Sequence, residues 1–187
     1  MPYSSLIFDD EIEQIIKFLQ PKRILDIGAG AGKYGETIKR ISEGINTTAL
    51  EIEKEYIKKF KLKEKYSRVL NISADELIHP EYYNDNFDLV IMGDVIEHMK
   101  KSVGVDLINF LVYRSKWIIL KFPLKYIQNS VDGYESEAHI SAWSSEDFRG
   151  FDKTKTYSKN GICLVLLKRY LEKKHTLKEI KNIIELK

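Results

Sequence analysis

Short apolar runs of strand length alternate with helical patterns along most of this chain, and this alternation restricts the fold more than any other feature. Phe87 to Met92 and Lys116 to Phe122 are apolar runs expected of strands covered on both faces, and Val103 to Tyr113 between them has a helical pattern. Such alternation predicts a parallel sheet, because each right-handed crossover needs a helix to return the chain to the same edge. The predicted parallel strands are Arg23 to Ile27, Asn46 to Glu51, Arg68 to Ile72, Phe87 to Met92 and Lys116 to Phe122.

The pattern changes near the C-terminal end of the chain. Thr154 to Ser158 and Ile162 to Lys168 are two strand-like runs joined by Lys159-Asn160-Gly161, and Asn-Gly is a strong hairpin signal. We therefore predict an α/β fold with a doubly wound, mostly parallel seven-stranded sheet that ends in a C-terminal antiparallel hairpin.

Helices are predicted before, between and after the strands. Ile12, Ile15, Ile16 and Leu19 recur at helical spacing, and Pro21 ends this leading amphipathic pattern. The other predicted helices run from about Tyr34 to Ser42, from Glu55 to Lys65, from Val103 to Tyr113 and from Leu177 to Leu186.

Length and composition predict a single globular domain over residues 1–187, with a leading helix in 1–21, a core in 22–170 and a C-terminal helix in 171–187. Hydrophobic residues make up 43% of the sequence, and the formal net charge of +2 gives no global reason to bind nucleic acid or an anionic membrane. The single cysteine, Cys163, lies in an apolar run and has no disulfide partner, and no run approaches 18 apolar residues. We expect a soluble, cytoplasmic protein.

A glycine-rich loop, Gly28-Ala29-Gly30-Ala31-Gly32, follows the first strand. In open α/β sheets, ligands bind beyond the carboxyl ends of the strands, and a helix that follows such a loop directs N–H groups at anionic atoms. A phosphate-binding Walker loop needs four residues between its glycines, whereas Gly28 to Gly32 encloses three. A dinucleotide fingerprint needs a sixth-position glycine where this chain has Lys33, so nicotinamide binding is the weaker alternative.

The run Ile24-Leu25-Asp26-Ile27-Gly28-Ala29-Gly30-Ala31-Gly32 resembles the first motif of the class I S-adenosylmethionine-dependent methyltransferases. Glu51 ends the second strand, where an acidic residue can accept two hydrogen bonds from ribose hydroxyls. Phe87 to Val90 followed by Gly93 to His98 resembles the fourth-strand motif of this family. The resemblance implies a Rossmann-like methyltransferase fold, S-adenosyl-L-methionine as the cofactor, and cofactor contacts from Asp26, Gly28, Gly30, Gly32, Tyr34, Glu51, Ser73, Ala74 and Asp94.

The family resemblance extends to the adenine site with one departure. Adenine is expected near Ser73-Ala74-Asp75 at the end of the third strand, where many family members have an acidic residue at the position of Ser73.

Two histidines are the candidate catalytic residues. Methyl transfer from a sulfonium needs a positioned acceptor and a base, and the fourth-strand motif places His98 near the methyl group. His139 lies in a polar segment after the fifth strand, where family members commonly build the acceptor pocket, and Trp143 could stack a planar substrate. The alternatives are that His98 only packs its helix, and that His139 and Trp143 belong to a helix cap and the core.

A metal site is a further alternative, although we predict none. Asp94, Glu97, His98 and His139 have the ligand types for a divalent cation. Asp94 is followed by two residues and then by Glu97-His98. This pattern resembles a motif of the metal-dependent RNA-terminal 2′-O-methyltransferases and of the ubiquinone-pathway O-methyltransferases. His79 and His175 are predicted to be surface residues.

The function predicted from these residues is methyl transfer to a small-molecule acceptor at oxygen or nitrogen. Specificity would come from the leading helix and the Lys125 to Phe148 insert. An RNA methyltransferase and a non-catalytic module that binds the cofactor are the alternatives. Seven Lys or Arg residues lie between Lys54 and Arg68, but a solvated helix face explains them without a nucleic acid.

Overall fold

The predicted α/β architecture is confirmed in a computed structural model, which describes residues 5–151, 154–169, 172 and 174–185. The strands are β1 (Arg23–Ile27), β2 (Asn46–Leu50), β3 (Arg68–Leu70), β4 (Phe87–Gly93), β5 (Ser115–Pro123), β6 (Thr154–Lys159) and β7 (Ile162–Lys168). Within these residues they form one seven-stranded sheet in the order β3-β2-β1-β4-β5-β7-β6. The pairings among β1 to β5 are parallel, and β7 is antiparallel to both β5 and β6.

Helices cover both faces of the sheet. They are α1 (Asp9–Leu19), α2 (Lys33–Ile41), α3 (Lys54–Lys59), α4 (Leu62–Lys65), α5 (Lys101–Leu111) and α6 (Leu177–Glu185). Short 3-10 turns span Ala74–Ile78, Pro80–Tyr82, Ile96–His98, Glu135–Glu137 and Ser145–Phe148. The C-terminal helix was predicted to reach Leu186, which lies outside the described residues. In the part of the chain that the structure describes, every helix is too short or too polar to cross a lipid bilayer.

Successive side chains of the central strands enter two different cores, because side chains alternate across a sheet. On one face Leu25 and Val90 pack with α5, and on the other face Ile24 and Leu89 pack with α1, α2 and α6. This double burial explains why the central strands are continuously apolar in the sequence.

One predicted helix is wrong in its extent. Glu55 to Lys65 was expected to be a single helix, but Lys61 has a φ of +51° and separates α3 from α4. Ile57 and Leu62 both pack in the core cluster beneath the glycine loop. Five positions along one straight helix differ by about 140° in direction, so the chain must turn to bury both side chains.

The hairpin prediction is confirmed at its turn. Asn160 and Gly161 have φ angles of +48° and +77°, which is the left-handed pair that a two-residue turn between twisted strands requires. The backbone carbonyl of Gly161 accepts a hydrogen bond of 2.7 Å from the Leu124 N–H. The hairpin turn therefore lies beside the end of β5.

Candidate active site

The carboxyl ends of β1, β2 and β4 open into a cleft of about 950 Å³. A smaller cavity of about 240 Å³ adjoins the cleft, and the two share five residues in their walls: Gly28, Ile52, Val95, His98 and Ser136. Ile52 follows Glu51 and is 53% exposed, which is high for a branched aliphatic side chain in a cavity wall. The two cavities form one elongated site with an apolar end.

The glycine loop forms the floor of the cleft and requires its glycines. Gly28, Gly30 and Gly32 all have positive φ angles. The N–H groups of Gly28 and Ala29 both donate to the Leu50 carbonyl at 2.9 Å, which ties the loop to the end of β2. A Cβ on Gly28 would lie 2.2 Å from Val95 Cγ2, so any side chain there displaces the segment after β4.

Glu51 lies at the edge of the loop, as the sequence predicts. Its Oε2 accepts a 2.7 Å hydrogen bond from the Gly30 N–H, and its Oε1 accepts one of 2.8 Å from the Glu53 N–H. The side chain of Asn71 donates to the Glu51 carbonyl at 2.8 Å. Each carboxylate oxygen retains a second acceptor position, and Glu51 lines the cleft, so this group is positioned to accept further hydrogen bonds from a ligand.

Asp26 lies beneath the loop and is not part of the cleft wall. It is 1% exposed, and the Tyr66 hydroxyl donates a short hydrogen bond to its Oδ2. The same hydroxyl accepts a 2.9 Å hydrogen bond from the Gly35 N–H at the start of α2. Burial raises the pKa of Asp26 to about 7, although the Tyr66 hydrogen bond favours the charged form. This position supports a role in holding the loop and α2 together, whereas the direct cofactor contact stays a prediction.

Replacing Asp26 with asparagine should change how stability depends on pH. Between the ordinary pKa of 3.8 and about 7, the carboxyl is protonated in the folded chain and ionised in the unfolded chain, so the free energy of unfolding falls as the pH rises. Asparagine does not titrate, so Asp26→Asn lacks this pH-dependent loss of stability. We therefore expect the free energy of unfolding of Asp26→Asn, relative to that of the parent, to be about 2 kcal/mol higher at pH 8 than at pH 5. Urea unfolding at both pH values measures the gain. Exposed Asp106→Asn is the control, and parallel pH curves for Asp26→Asn and the parent would contradict the account.

The loop after β4 is held by a buried group of charges. Asp94, at a φ of +55°, accepts a 3.0 Å hydrogen bond from the Ser5 N–H and lies 3.4 Å from the ammonium of Lys121. Lys121 and Lys33 also contact Asp9 at 3.1 and 2.9 Å, and both donate to the Ser5 carbonyl. These contacts close the N-terminal segment over one end of the cleft.

Tyr34 lies at the start of α2, in the wall of the cleft. It is 5% exposed, and a Cβ on Gly93 would lie 2.5 Å from its Cε2. The absence of a side chain on Gly93 therefore allows the ring to pack directly on the end of β4.

Ser73 and Ala74 line the smaller cavity, as expected for the adenine end of the site. The N–H and hydroxyl of Ser73 contact Glu76 Oε1 at 2.8 and 3.1 Å, which caps the short turn that begins at Ala74. The cavity is mainly lined by apolar groups, and Ser73 places its backbone at the rim.

The two candidate catalytic histidines meet in the wall of the cleft, and His98 also lines the smaller cavity. The rings of His98 and His139 are 4.7 Å apart, although the residues are 41 positions apart in the chain. His98 Nδ1 lies 3.1 Å from the Ala138 carbonyl, and His139 Nδ1 lies 2.9 Å from the Tyr126 carbonyl. A carbonyl can only accept, so each Nδ1 carries the proton and each Nε2 has a lone pair. Burial and the neighbouring His139 lower the pKa of His98, which favours its neutral form.

Trp143 is not in the cleft, so the hypothesis that it stacks a substrate is wrong. It is 3% exposed, its Nε1 donates to the Ile96 carbonyl at 3.1 Å, and a Cβ on Gly104 would lie 2.7 Å from its ring. Ser144 and Asp147 form the capping box of the next turn. The core and helix-cap interpretation therefore holds for Trp143, while His139 lies in the cleft wall.

Two features were missed from the sequence, one in the cleft wall and one buried beside it. Ile52 was not singled out, although its place directly after Glu51 puts it on the cavity wall. Lys121 was taken as part of an apolar strand, although a lysine between Leu120 and Phe122 is itself the signal of a buried charge with partners.

A family profile described as "Methyltransferase domain" matches residues 25–106. An uncharacterized protein of Methanocaldococcus jannaschii is 29% identical over 102 residues, which is 53% of this chain and 41% of that protein. The chain thus matches less than half the length of this curated relative.

Solved structures with the same fold are numerous. The N-terminal domain of EvdMO1 with SAH bound has a TM-score of 0.65 and 14% identity, covering 89% of this chain and 82% of that one. The methyltransferase domain of bacterial CtHen1-C has a TM-score of 0.61 and 12% identity, covering 85% and 95%. An S-adenosylmethionine-dependent methyltransferase from Clostridium acetobutylicum has a TM-score of 0.61 and 13% identity, covering 86% and 90%.

Proposed function

We propose that this chain is a class I S-adenosylmethionine-dependent methyltransferase, which binds S-adenosylmethionine in the cleft and transfers its methyl group to a small-molecule acceptor at oxygen or nitrogen. The observation that carries the proposal is the Glu51 carboxylate, fixed by two backbone N–H groups at the edge of the glycine loop. This arrangement, between the larger cleft and a smaller, more apolar cavity, suits a ligand with a ribose between a charged end and a planar base.

Residues of the cleft fit each part of this cofactor. Glu51 would accept the ribose hydroxyls, and the loop backbone and the start of α2 would face the charged methionine end. Ile52, Ser73 and Ala74 would enclose the adenine. Gly28, Gly30 and Tyr34 would shape the floor, and Asp94 would face the cofactor from the end of β4. Gly32 packs against Leu62 and Lys65 and would act by turning the loop into α2.

The part of the cleft wall that carries the two histidines suits the acceptor. Bound S-adenosylmethionine supplies an electrophilic methyl group on a sulfonium, so the protein must orient a nucleophile and allow its proton to leave. His98 and His139 both present an Nε2 lone pair in the cleft wall, where they can accept a hydrogen bond from an acceptor O–H or N–H. During transfer, the acceptor atom bonds to the methyl carbon as the C–S bond breaks, and the acceptor proton passes to a histidine or to water.

The packing of the chain supports the proposed domain organisation and cellular location. Two hydrophobic cores on the faces of one sheet support a single domain over residues 1–187. Cys163 is buried as a free thiol, which is compatible with the proposed cytoplasmic location.

The arrangement of the lysine-rich stretch between Lys54 and Arg68 supports a small acceptor over RNA. Tyr56, Ile57 and Leu62 are buried, and the lysines of α3 and α4 are exposed except Lys65, as in an amphipathic helix pair. Lys65 donates to the Ala31 carbonyl at 2.7 Å and so supports the glycine loop.

A transfer assay with labelled S-adenosylmethionine tests the proposed function. We expect labelled product with members of a panel of small hydroxyl and amine acceptors, and little dependence on salt. His98→Gln and His139→Gln should each lower the rate by about 100-fold, whereas exposed His79→Gln should not. Transfer to RNA alone, falling steeply with salt, would replace the small acceptor with RNA. Cofactor binding without transfer to any acceptor would favour a non-catalytic module.

A further inference from the structure

A buried carboxylate lies beside the two histidines and has no hydrogen-bond partner among the described residues. Glu97 is 3% exposed, and neither of its side-chain oxygens is paired. An unpaired carboxylate is costly to bury, because the protein interior does not replace the water that it loses. Glu97 also lines the cleft, so its carboxyl oxygens can meet a ligand that enters there.

Glu97 and the two histidines converge on one point. One ligand atom from each of Glu97, His98 and His139 lies within 4.8 Å of the others, and His139 Nε2 is 4.0 Å from Glu97 Oε1. Metal–ligand bonds of about 2.1 Å hold the ligands of a tetrahedral ion about 3.4 Å apart, so the most distant pair of the three needs to close by about 1.4 Å around a shared ion.

The surrounding backbone orients these groups as it does in metal sites. The carbonyls of Ala138 and Tyr126 accept from Nδ1 of His98 and His139, which leaves both Nε2 atoms as ligands. The Glu97 carbonyl accepts from the N–H groups of Ile140 and Ser141 at 2.9 and 3.1 Å, which fixes the insert that carries His139 to the turn that carries Glu97.

We propose that Glu97, His98 and His139 bind one divalent transition-metal ion, and that this ion holds the oxygen of the acceptor. Two imidazoles and one carboxylate favour Zn²⁺, Co²⁺, Fe²⁺ or Mn²⁺ over Ca²⁺ and Mg²⁺, and three protein ligands leave coordination positions open. Asp94, the fourth residue of the ligand set considered from the sequence, is outside this cluster because its carboxylate contacts Ser5 and Lys121.

The second half of the proposal rests on the proposed function and narrows it to oxygen acceptors. A hydroxyl bound to a divalent cation loses its proton to water more readily, and the resulting oxygen attacks the methyl carbon as the C–S bond breaks. His98 and His139 then act through the ion, and a weakly acidic amine gains less from it than a hydroxyl does.

Direct metal titration tests the site without the methyl donor. After dialysis against a chelator, calorimetry with Zn²⁺ should give one site per chain. His98→Gln, His139→Gln and Glu97→Gln should each weaken Zn²⁺ binding at least tenfold, and His79→Gln should leave it unchanged. Equal Zn²⁺ binding by the parent and a folded His98→Gln/His139→Gln double variant would overturn the proposal.

A measurement on the unaltered protein covers the case in which a variant fails to fold. In a ¹⁵N spectrum of the histidine rings, Zn²⁺ should shift the Nε2 signals of His98 and His139 and leave those of His79 and His175 in place. No shift at either of the first two would overturn the proposal. Cofactor binding measured in the presence of the chelator separates the two hypotheses: intact binding with no metal site would remove the ion and leave the proposed function standing.

Discussion

Lys121→Met is expected to lower the free energy of unfolding by about 3 kcal/mol. The Lys121 side chain is fully buried, and its ammonium lies 3.1 Å from Asp9 Oδ1 and 3.4 Å from Asp94 Oδ2. Methionine fills a similar volume but leaves these two carboxylates without their buried counter-charge, and breaking buried pairs in this way costs about 3–5 kcal/mol. The lower end applies because Asp9 remains 24% exposed and retains Lys33 at 2.9 Å.

Lys116→Met on the same strand is the matched control. Its ammonium pairs with Asp88 at 2.8 Å, but the Lys116 side chain is 52% exposed, so its removal should cost less than about 1 kcal/mol. Urea unfolding of both variants measures the difference. Equal losses in the two variants would show that the charge group around Lys121 does not hold the N-terminal segment in place.

Glu51→Gln is expected to weaken S-adenosylmethionine binding by about 30- to 100-fold. The Glu51 carboxylate accepts from the N–H groups of Gly30 and Glu53, one on each oxygen. A glutamine has one oxygen and one NH₂ group, so its NH₂ must face one of these donors, and the loop loses a hydrogen bond. The variant also loses the charge that strengthens hydrogen bonds from ribose hydroxyls, which together correspond to about 2–3 kcal/mol.

Calorimetric titration with S-adenosylmethionine measures this loss, and exposed Glu43→Gln is the control, with no expected change. Unchanged affinity in a folded Glu51→Gln protein would remove Glu51 from the cofactor site and leave the glycine loop as its only support.

The elements that the sequence predicts well are those with local causes. The central strands are apolar throughout because both faces of the sheet are covered. The hairpin turn needs a positive φ at both of its central positions, and Asn160 and Gly161 are residue types that adopt it readily. Glu51 could be placed at the cleft because it directly follows a strand whose neighbours were already assigned. The methyltransferase-domain profile that matches residues 25–106 covers the same glycine loop and fourth-strand motif on which the family prediction was based.

The arrangements that the sequence does not reveal depend on distant contacts. The insert that brings His139 to His98 has neither helical nor strand periodicity, and backbone hydrogen bonds to Glu97 fix its path. Trp143 could not be assigned to the core or the cleft because its burial depends on the gap left by Gly104. The break at Lys61 arises from packing beneath the glycine loop, which outweighs the local helical pattern.

Calorimetric titration of the unaltered protein with S-adenosylhomocysteine, the product that S-adenosylmethionine leaves after transfer, tests the central claim most directly. We predict one binding site per chain with a dissociation constant in the micromolar range. A circular dichroism spectrum and a cooperative thermal transition would establish that the titrated protein is folded. A folded protein that binds neither S-adenosylhomocysteine nor S-adenosylmethionine at millimolar concentration would contradict the assignment of the cleft as the cofactor site.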